Sequence, residues 1–324
     1  MLNRLLPDRF ILWLLAALAL GVLLPVRGTL ASAVDWLTWA AIFTLFLIHG
    51  ARLPPDALRA GLTDWRLHAA ILGSTFLVFP ALGLALAAAL PSLLSPGLWT
   101  GLLFLCALPS TVQSSIAYTA IAGGNVAGAV AAAAFSNLAG VVATPLLVAL
   151  MLEAQGAAIS PAGIGKIVLL LLLPFLLGHA LRPLLIGAVA ARPALTRIVD
   201  KGTILLAVYG AFSAATVEGV WTRMAPAETL VLAGLLLLLL TLVLAATWAI
   251  GRFGGFASDS RSAILFCGSV KSLASGAPMA RILFPGAAAG LVILPVMIFH
   301  TLQLIVCAWI AARIAQSAPS KRSE

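Results

Sequence analysis

The chain has 324 residues, of which 62% are hydrophobic and only 9% charged, and its mean hydropathy is +1.14. A soluble domain carries roughly 25% charged residues, so this composition excludes a water-soluble fold and requires a surface that faces lipid. The formal charge of +9 does not indicate nucleic acid, because the basic residues sit in short connectors without interleaved aromatics; their natural partner is the anionic face of a bilayer.

Apolar runs and their breakers divide the chain into ten candidate spans, near 10–26, 33–50, 67–90, 97–121, 125–152, 164–184, 201–217, 227–250, 260–284 and 287–312. The first run follows Arg4 and Arg9, and Ala31-Ser32-Ala33 imitates a cleavage site. Arg27 and Asp35 interrupt the layout of a signal peptide, so the run reads as a retained helix. Connectors are short and hold Pro and Gly pairs such as Pro54-Pro55 and Gly254-Gly255. Residues 1–324 therefore form one transmembrane domain, closed by a polar tail at 314–324.

Counted by alternate connectors, fourteen Lys and Arg lie on the side of the N-terminus and four (Arg27, Lys166, Arg223, Arg281) on the other. The positive-inside rule then places both termini in the cytoplasm, and the chain is expected in an inner (plasma) membrane. A shift of 161 residues carries Leu67 to Glu228, Leu98 to Asp259, Asn125 to Gly286 and Cys106 to Cys267. Each of the first three opens the matching span of the second half. Five spans per half is an odd number, so the halves (about 1–152 and 160–313) insert with opposite topology, a construction typical of secondary transporters.

Two spans are interrupted at equivalent places. Span four carries Pro109, Ser110, Thr111, Gln113, Ser114 and Ser115 at its centre. Proline removes a donor and obstructs the preceding turn, and freed carbonyls at membrane depth require buried partners or a wet cavity. Span nine carries Gly268, Ser269, Lys271, Ser272, Ser275 and Gly276. Lys271 is ten residues from both Arg261 and Arg281, about 15 Å from either end at 1.5 Å per residue. A charge at that depth costs at least ~2.5–3.5 kcal/mol, so it marks a functional cavity unless burial neutralises it or it props the fold through backbone carbonyls. Helix N-termini favour anions, and with Lys271 they point to an anionic substrate.

Span five adds Asn137 to the candidate site, while Ser136 and Thr144-Pro145 suit close packing equally well. His49 and His68 fall near span ends, where interfacial solvation accounts for them; His179 and His300 lie deeper, as packing groups or proton relays. Cys106, Cys267 and Cys307 lie inside apolar segments without metal-ligand spacing, so no metal centre or disulfide framework is expected. No set of nucleophile, base and ligand residues shares one depth, which argues against an intramembrane enzyme.

At these residues the chain resembles the bile acid:sodium symporter family over essentially its whole length. The polar break of span four, Asn125-Val126-Ala127, Ser136 and Thr144-Pro145 carry the resemblance, with Gly268 and Leu273-Ala274 in span nine. The run from Lys271 to Met279 is similar to the family's divergent cotransporter-7-like branch, which has many bacterial members. The resemblance implies ten helices, with spans 1, 2, 6 and 7 as a panel and spans 3–5 and 8–10 as a core. It also implies alternating access at the crossing of spans four and nine, with sodium beside it. Ser114 matches a sodium-ligand serine and Ser115 replaces the neighbouring asparagine. Phe266 and Val270 stand where the family places a glutamate and a glutamine, and Ala129 and Ala133 where it has hydroxyls.

The expectation is therefore an all-α membrane protein of ten helices in two inverted five-helix repeats, with helices four and nine interrupted and crossing at midplane. Its function is expected to be secondary transport of a small organic anion. Coupling would be to sodium or protons, with no organic cofactor and Na+ as the one ion the resemblance adds near Ser114 and Ser115. Lys271 would either pair with a substrate carboxylate or sulfonate or stand in for one bound cation. An exchanger, or a membrane sensor that kept the fold and lost transport, is the alternative. Oligomeric state is open, a homodimer included.

Overall fold

The computed structural model describes residues 9–52, 64–155, 161–223, 225–284 and 286–317. All regular structure in them is helical: α1 Arg9–Leu23, α2 Gly28–Arg52, α3 Trp65–Ala89, α4 Pro96–Ala107, α5 Gln113–Ile121, α6 Val126–Glu153, α7 Pro161–Ala180, α8 Arg182–Ala191, α9 Pro193–Val217, α10 Pro226–Phe253, α11 Ser258–Ser269, α12 Leu273–Leu283 and α13 Ala288–Ser317. A π-helical turn at Ser74–Val78 lies within α3, and short turns at Pro91–Leu93 and Val220–Arg223 join longer helices. Seven helices or helix pairs are long and apolar enough to cross a bilayer, and eight if the bent pair α7–α8 counts as one; α1 and α4 are shorter apolar helices.

Local chemistry explains most boundaries. Proline occupies the first turn of α4, α9 and α10, where its missing N–H costs nothing and its fixed φ suits a helix. Asp64, Asn125 and Ser272 cap α3, α6 and α12 by accepting from Leu67, Gly128 and Ser275 main-chain N–H groups, as short polar side chains do at an N-cap. Gly123, at φ 68°, reverses the chain after α5 in a conformation a Cβ disfavours. The Asn125 N–H then donates to Asp259 O at 3.0 Å, tying this corner to the start of α11.

Two sequence boundaries and one side-chain placement are corrected. Residues 185–200 were read as a connector, yet they form most of α8 and the first turns of α9. Pro193 starts that helix, and Arg197, Asp200 and Lys201 lie in its first turns rather than in a loop. The helix α13 runs to Ser317, into the stretch read as a polar tail; residues 318–324, and the connector holding Pro54-Pro55, lie outside the described residues. His68 is 5% exposed and stacks on Phe135, rather than sitting in an interface.

The helices sort into two packed groups. Contacts are densest between α2 and α7 and between α1 and α9, with α9 also against α2. The second group holds α3–α6 and α10–α13, in which α13 packs on α4 and α10, and α11 lies against α10, α5, α3 and α6. The groups meet where α9 faces α12 and α13 and where α6 meets α7. Most exposed large side chains are aliphatic or Trp, among them Trp13, Trp36, Leu184, Leu230 and Trp309, as a lipid-facing surface requires. By contrast, every residue of the span α11–α12 from Ser262 to Ala280 is buried except Ala274, so it sits at the centre of the second group.

Candidate functional site

The chain leaves helical geometry between Ala107 and Gln113, and again between Ser269 and Leu273. These two breaks touch: the Ser272 N–H donates to Pro109 O at 2.8 Å. A helix terminus leaves main-chain groups without intrahelical partners, and at this depth each must find another. The partners come from other helices, one carbonyl at a time. Cys106 O and Leu108 O accept from Lys271 Nζ at 2.8 and 2.6 Å. Ala107 O accepts from Thr144 Oγ1 at 2.8 Å, and Ser110 O from Asn137 Nδ2 at 2.9 Å. The Ser110 N–H donates to Ser136 Oγ at 3.0 Å.

The second break is held the same way. The Lys271 N–H donates to Gln303 Oε1 at 2.8 Å, while Gln303 Nε2 donates to Lys271 O at 2.9 Å. Gln303 is fully buried on α13 and replaces both missing helix bonds with one amide. Each break is thus secured by the last long helix following it, α6 for the first and α13 for the second. We expect Gln303→Leu, which orphans a buried N–H and C=O, to cost about 2–5 kcal/mol. A lowered unfolding temperature of the purified variant would show it; an unchanged one would mean that water or another group replaces the amide.

Lys271 is completely buried. Its third Nζ donor goes to Thr75 O at 2.8 Å, and Nζ lies 4.1 Å from the centre of the Phe79 ring, a cation–π distance. Thr75 O is available for a local reason. In the π-helical turn the Phe79 N–H bonds Ser74 O, and the next residue, Pro80, has no N–H with which to reach Thr75 O. A lysine ammonium has three donors and no acceptor, and here all three are used on main-chain carbonyls. Two of those carbonyls end α4, whose dipole is negative at that terminus. The side chain therefore occupies the place of a cation coordinated by backbone oxygen.

The structure divides the residues singled out in the sequence into three sets. Ser110, Asn137, Lys271, Ser272 and Ser275 meet at the crossing: Ser275 Oγ donates to Asn137 Oδ1 at 2.8 Å, and Ser272 Oγ donates to Ser275 Oγ at 3.2 Å. Ser110 Oγ is buried there without a hydrogen-bond partner among the described residues. Thr111, Ser114 and Ser115 form a second cluster at the start of α5: the Thr111 and Ser114 hydroxyls are 2.5 Å apart, and Ser115 Oγ donates to Thr111 O. Beside them Gln113 is exposed. Ser269 stands apart, since its hydroxyl donates to Leu265 O at 2.5 Å within its own helix.

Sequence reasoning missed Gln303 and the Thr75 carbonyl. A buried amide in an apolar run is as costly as Asn137, which was the signal that could have found Gln303. His300 Nδ1 lies 3.0 Å from Gln303 Nε2, so this histidine buttresses the amide.

Comparison with known proteins identifies the family. Residues 8–316 match the model of the SBF-like CPA transporter family. The chain is 47% identical over 314 residues to an uncharacterised protein of Pseudomonas aeruginosa, PA2026, covering 97% of this chain and 94% of that one. It is 44% identical over 306 residues to the putative symporter YfeH of Escherichia coli K12, covering 94% and 92%. To the sodium/bile acid cotransporter 7 of Mus musculus it is 27% identical over 280 residues, covering 83% and 80%. The chain belongs to the SBF-like CPA transporter family and is a multi-pass membrane transporter, not an enzyme.

Proposed function

We propose that the protein is a secondary active symporter of a small organic anion, working by alternating access around the two crossed breaks, with Lys271 as a built-in cation. The observation that carries this reading is the ammonium held by three main-chain carbonyls from two helices, at the point where the breaks meet. Ten membrane crossings follow if α4 with α5, and α11 with α12, each make one, and if α8 lies along the surface. Helix bounds support the inverted repeat: a shift of 161 carries the start of α3 onto Pro226, that of α4 to within one residue of Ser258, and that of α6 to within one of Ala288. The uneven distribution of Lys and Arg supports cytoplasmic termini.

Symport is what the printed names of the E. coli and vertebrate relatives describe, and sodium is the coupling ion the latter suggest. The oxygen donors for it here are Ser114, Ser115 and nearby main chain, because Phe266, Val270, Ala129 and Ala133 contribute no side-chain oxygen. Held as an ammonium by three carbonyls, Lys271 supplies a positive charge from within the chain, so fewer mobile cations are needed per cycle. The substrate anion is met by the N-termini of α5 and α12 and by the unpartnered Ser110 hydroxyl, while Asn137, whose two amide donors are engaged on Ser110 O and Ala133 O, positions that serine. Lys271 attracts it through the field rather than by direct pairing, since its donors are already engaged.

Purified protein in proteoliposomes, offered labelled carboxylates and sulfonates under a sodium gradient, a pH gradient or neither, tests the reading. Uptake driven by either cation gradient is expected. Folded protein that moves none of them under any gradient would contradict it and favour a sensor that kept the fold.

Alternating access also needs a closure between the two helix groups. Arg281 on α12, with its side chain 8% exposed, pairs with Asp35 on α2, one helix from each group. Asp35→Asn should loosen that contact and raise labelling of a cysteine placed at Ala214, which lines the small cavity beside Asp35, several-fold with an impermeant maleimide. The three native cysteines are buried, so background is low. Unchanged labelling would mean that the pair is not a gate.

A further inference from the structure

A second site lies away from the crossing, where α2, α8 and α9 converge. The helix α8 departs at 87° from α7, so it runs across the bundle rather than along it. Between its flank and the ends of α2 and α9 is a groove of about 190 Å³. Ile48, Leu185, Val189 and Leu195 form its walls, and Arg192 and Thr196 its polar end. Neighbouring Leu184 and Ile198 are 78% and 66% exposed, an apolar surround that suits hydrocarbon better than water.

Charge selects the occupant. Among the described residues, the end of α2, the two ends of α8 and the first turns of α9 carry Arg52, Arg182, Arg192, Arg197 and Lys201 against one acid, Asp200. That acid already meets His49 and Arg52, at 3.4 Å each. The side chains of Arg192 and Arg197 are exposed, and neither has a hydrogen-bonding or ion-pair partner among the described residues. An apolar slot open to lipid, with an unpaired guanidinium at its mouth, fits one molecule best.

We propose that this groove holds an anionic phospholipid, one acyl chain lying against Leu185, Val189 and Leu195 and the headgroup phosphate on Arg192. Guanidinium binds phosphate with two parallel hydrogen bonds, and basic residues at a membrane surface favour anionic over zwitterionic lipid. The site is independent of the transport reading and of which leaflet this end faces. By occupying the angle between α8 and α9, the lipid would brace the group of α1, α2, α7 and α9, against which the other helices move.

The test uses full-length protein in detergent, its unfolding temperature read with added phosphatidylglycerol, phosphatidylcholine of identical chains, or inorganic phosphate. A ligand that binds only the folded state raises apparent stability, and a specific gain of roughly 2–4 °C is expected from phosphatidylglycerol alone. Arg192→Gln, which removes the charge, and Ala188→Trp, which fills the groove, should each abolish that gain while leaving the temperature in phosphatidylcholine near wild type. Equal gains from both lipids, the gain reproduced by phosphate alone, or its persistence in both variants would overturn the proposal.

Discussion

Lys271→Met is expected to reach the membrane folded, lose about 3–5 kcal/mol of stability and bring transport to background. The estimate weighs two opposed effects. Removing a buried ammonium relieves its desolvation, but it leaves Thr75, Cys106 and Leu108 carbonyls facing a thioether. Deleting one member of a buried charged network usually costs about 3–5 kcal/mol, because the abandoned partners stay buried. A folding free energy of about 5–15 kcal/mol survives that loss. Lys271→Arg separates charge from geometry: it keeps the positive charge, but a planar guanidinium cannot fan its donors to three carbonyls as an ammonium does. It should retain more stability than Met and still transport poorly. Flux in proteoliposomes and thermal unfolding of the same preparations measure both effects, and normal flux in the Met variant would remove Lys271 from the mechanism.

Gly178→Ala should be the most damaging small substitution outside the site. A Cβ at Gly178 would lie 1.9 Å from Leu47 O, and one at Gly50 would lie 1.9 Å from Phe175 O. The helices α2 and α7 thus cross backbone to backbone at two adjoining points, the close approach that small residues permit in membranes. The obstacle in each case is main chain, which cannot rotate away, so the helices must separate. Overpacking costs about 1–3 kcal/mol where side chains can adjust, and more is expected here, seen as a lower unfolding temperature and poor yield. Gly234→Ala on α10 is the control, since nothing lies within 4 Å of its Cβ; replacing that helical glycine should be neutral or gain about 0.5–1 kcal/mol. A Gly178→Ala protein as stable as Gly234→Ala would contradict the helix crossing.

Membrane class and the two breaks were readable because they depend on composition and on single residues. Pro109 cannot continue a helix, and the polar run after it has no reason to exist in lipid. Lys271 announced itself by depth, ten residues from charges at both ends of its segment. Its role was not readable, since a lysine facing an anion and one engaged with carbonyls have the same sequence. The choice depends on Thr75 O, which a proline five residues on leaves without a partner, and on the carbonyls that end α4. Neither is a side chain, and Pro80 points to the first only once the π-helical turn before it is known.

Gln303 was missed for a different reason. It lies in a run otherwise suited to a plain span, and only the paired bonds to Lys271 N and O show that it splints a break on another helix. The helix α8 was hidden because its ten residues look like a connector by charge, with Arg182 and Arg192 at its two ends. Asn137 was picked for the cost of burying an amide, and it does join the two breaks, to Ser110 O on one and Ser275 Oγ on the other.

The central claim is that Lys271 does the work of a bound cation, and a small-molecule substitute tests it without knowledge of the transported solute. Lys271→Ala removes the atoms of a propylammonium ion and leaves the three carbonyls that held it. Thermal unfolding of this variant, titrated with propylammonium and with choline at equal ionic strength, should show a saturable rise with propylammonium only, and wild type should show none. A variant that responds to both salts alike, or no more than wild type does, would contradict the account.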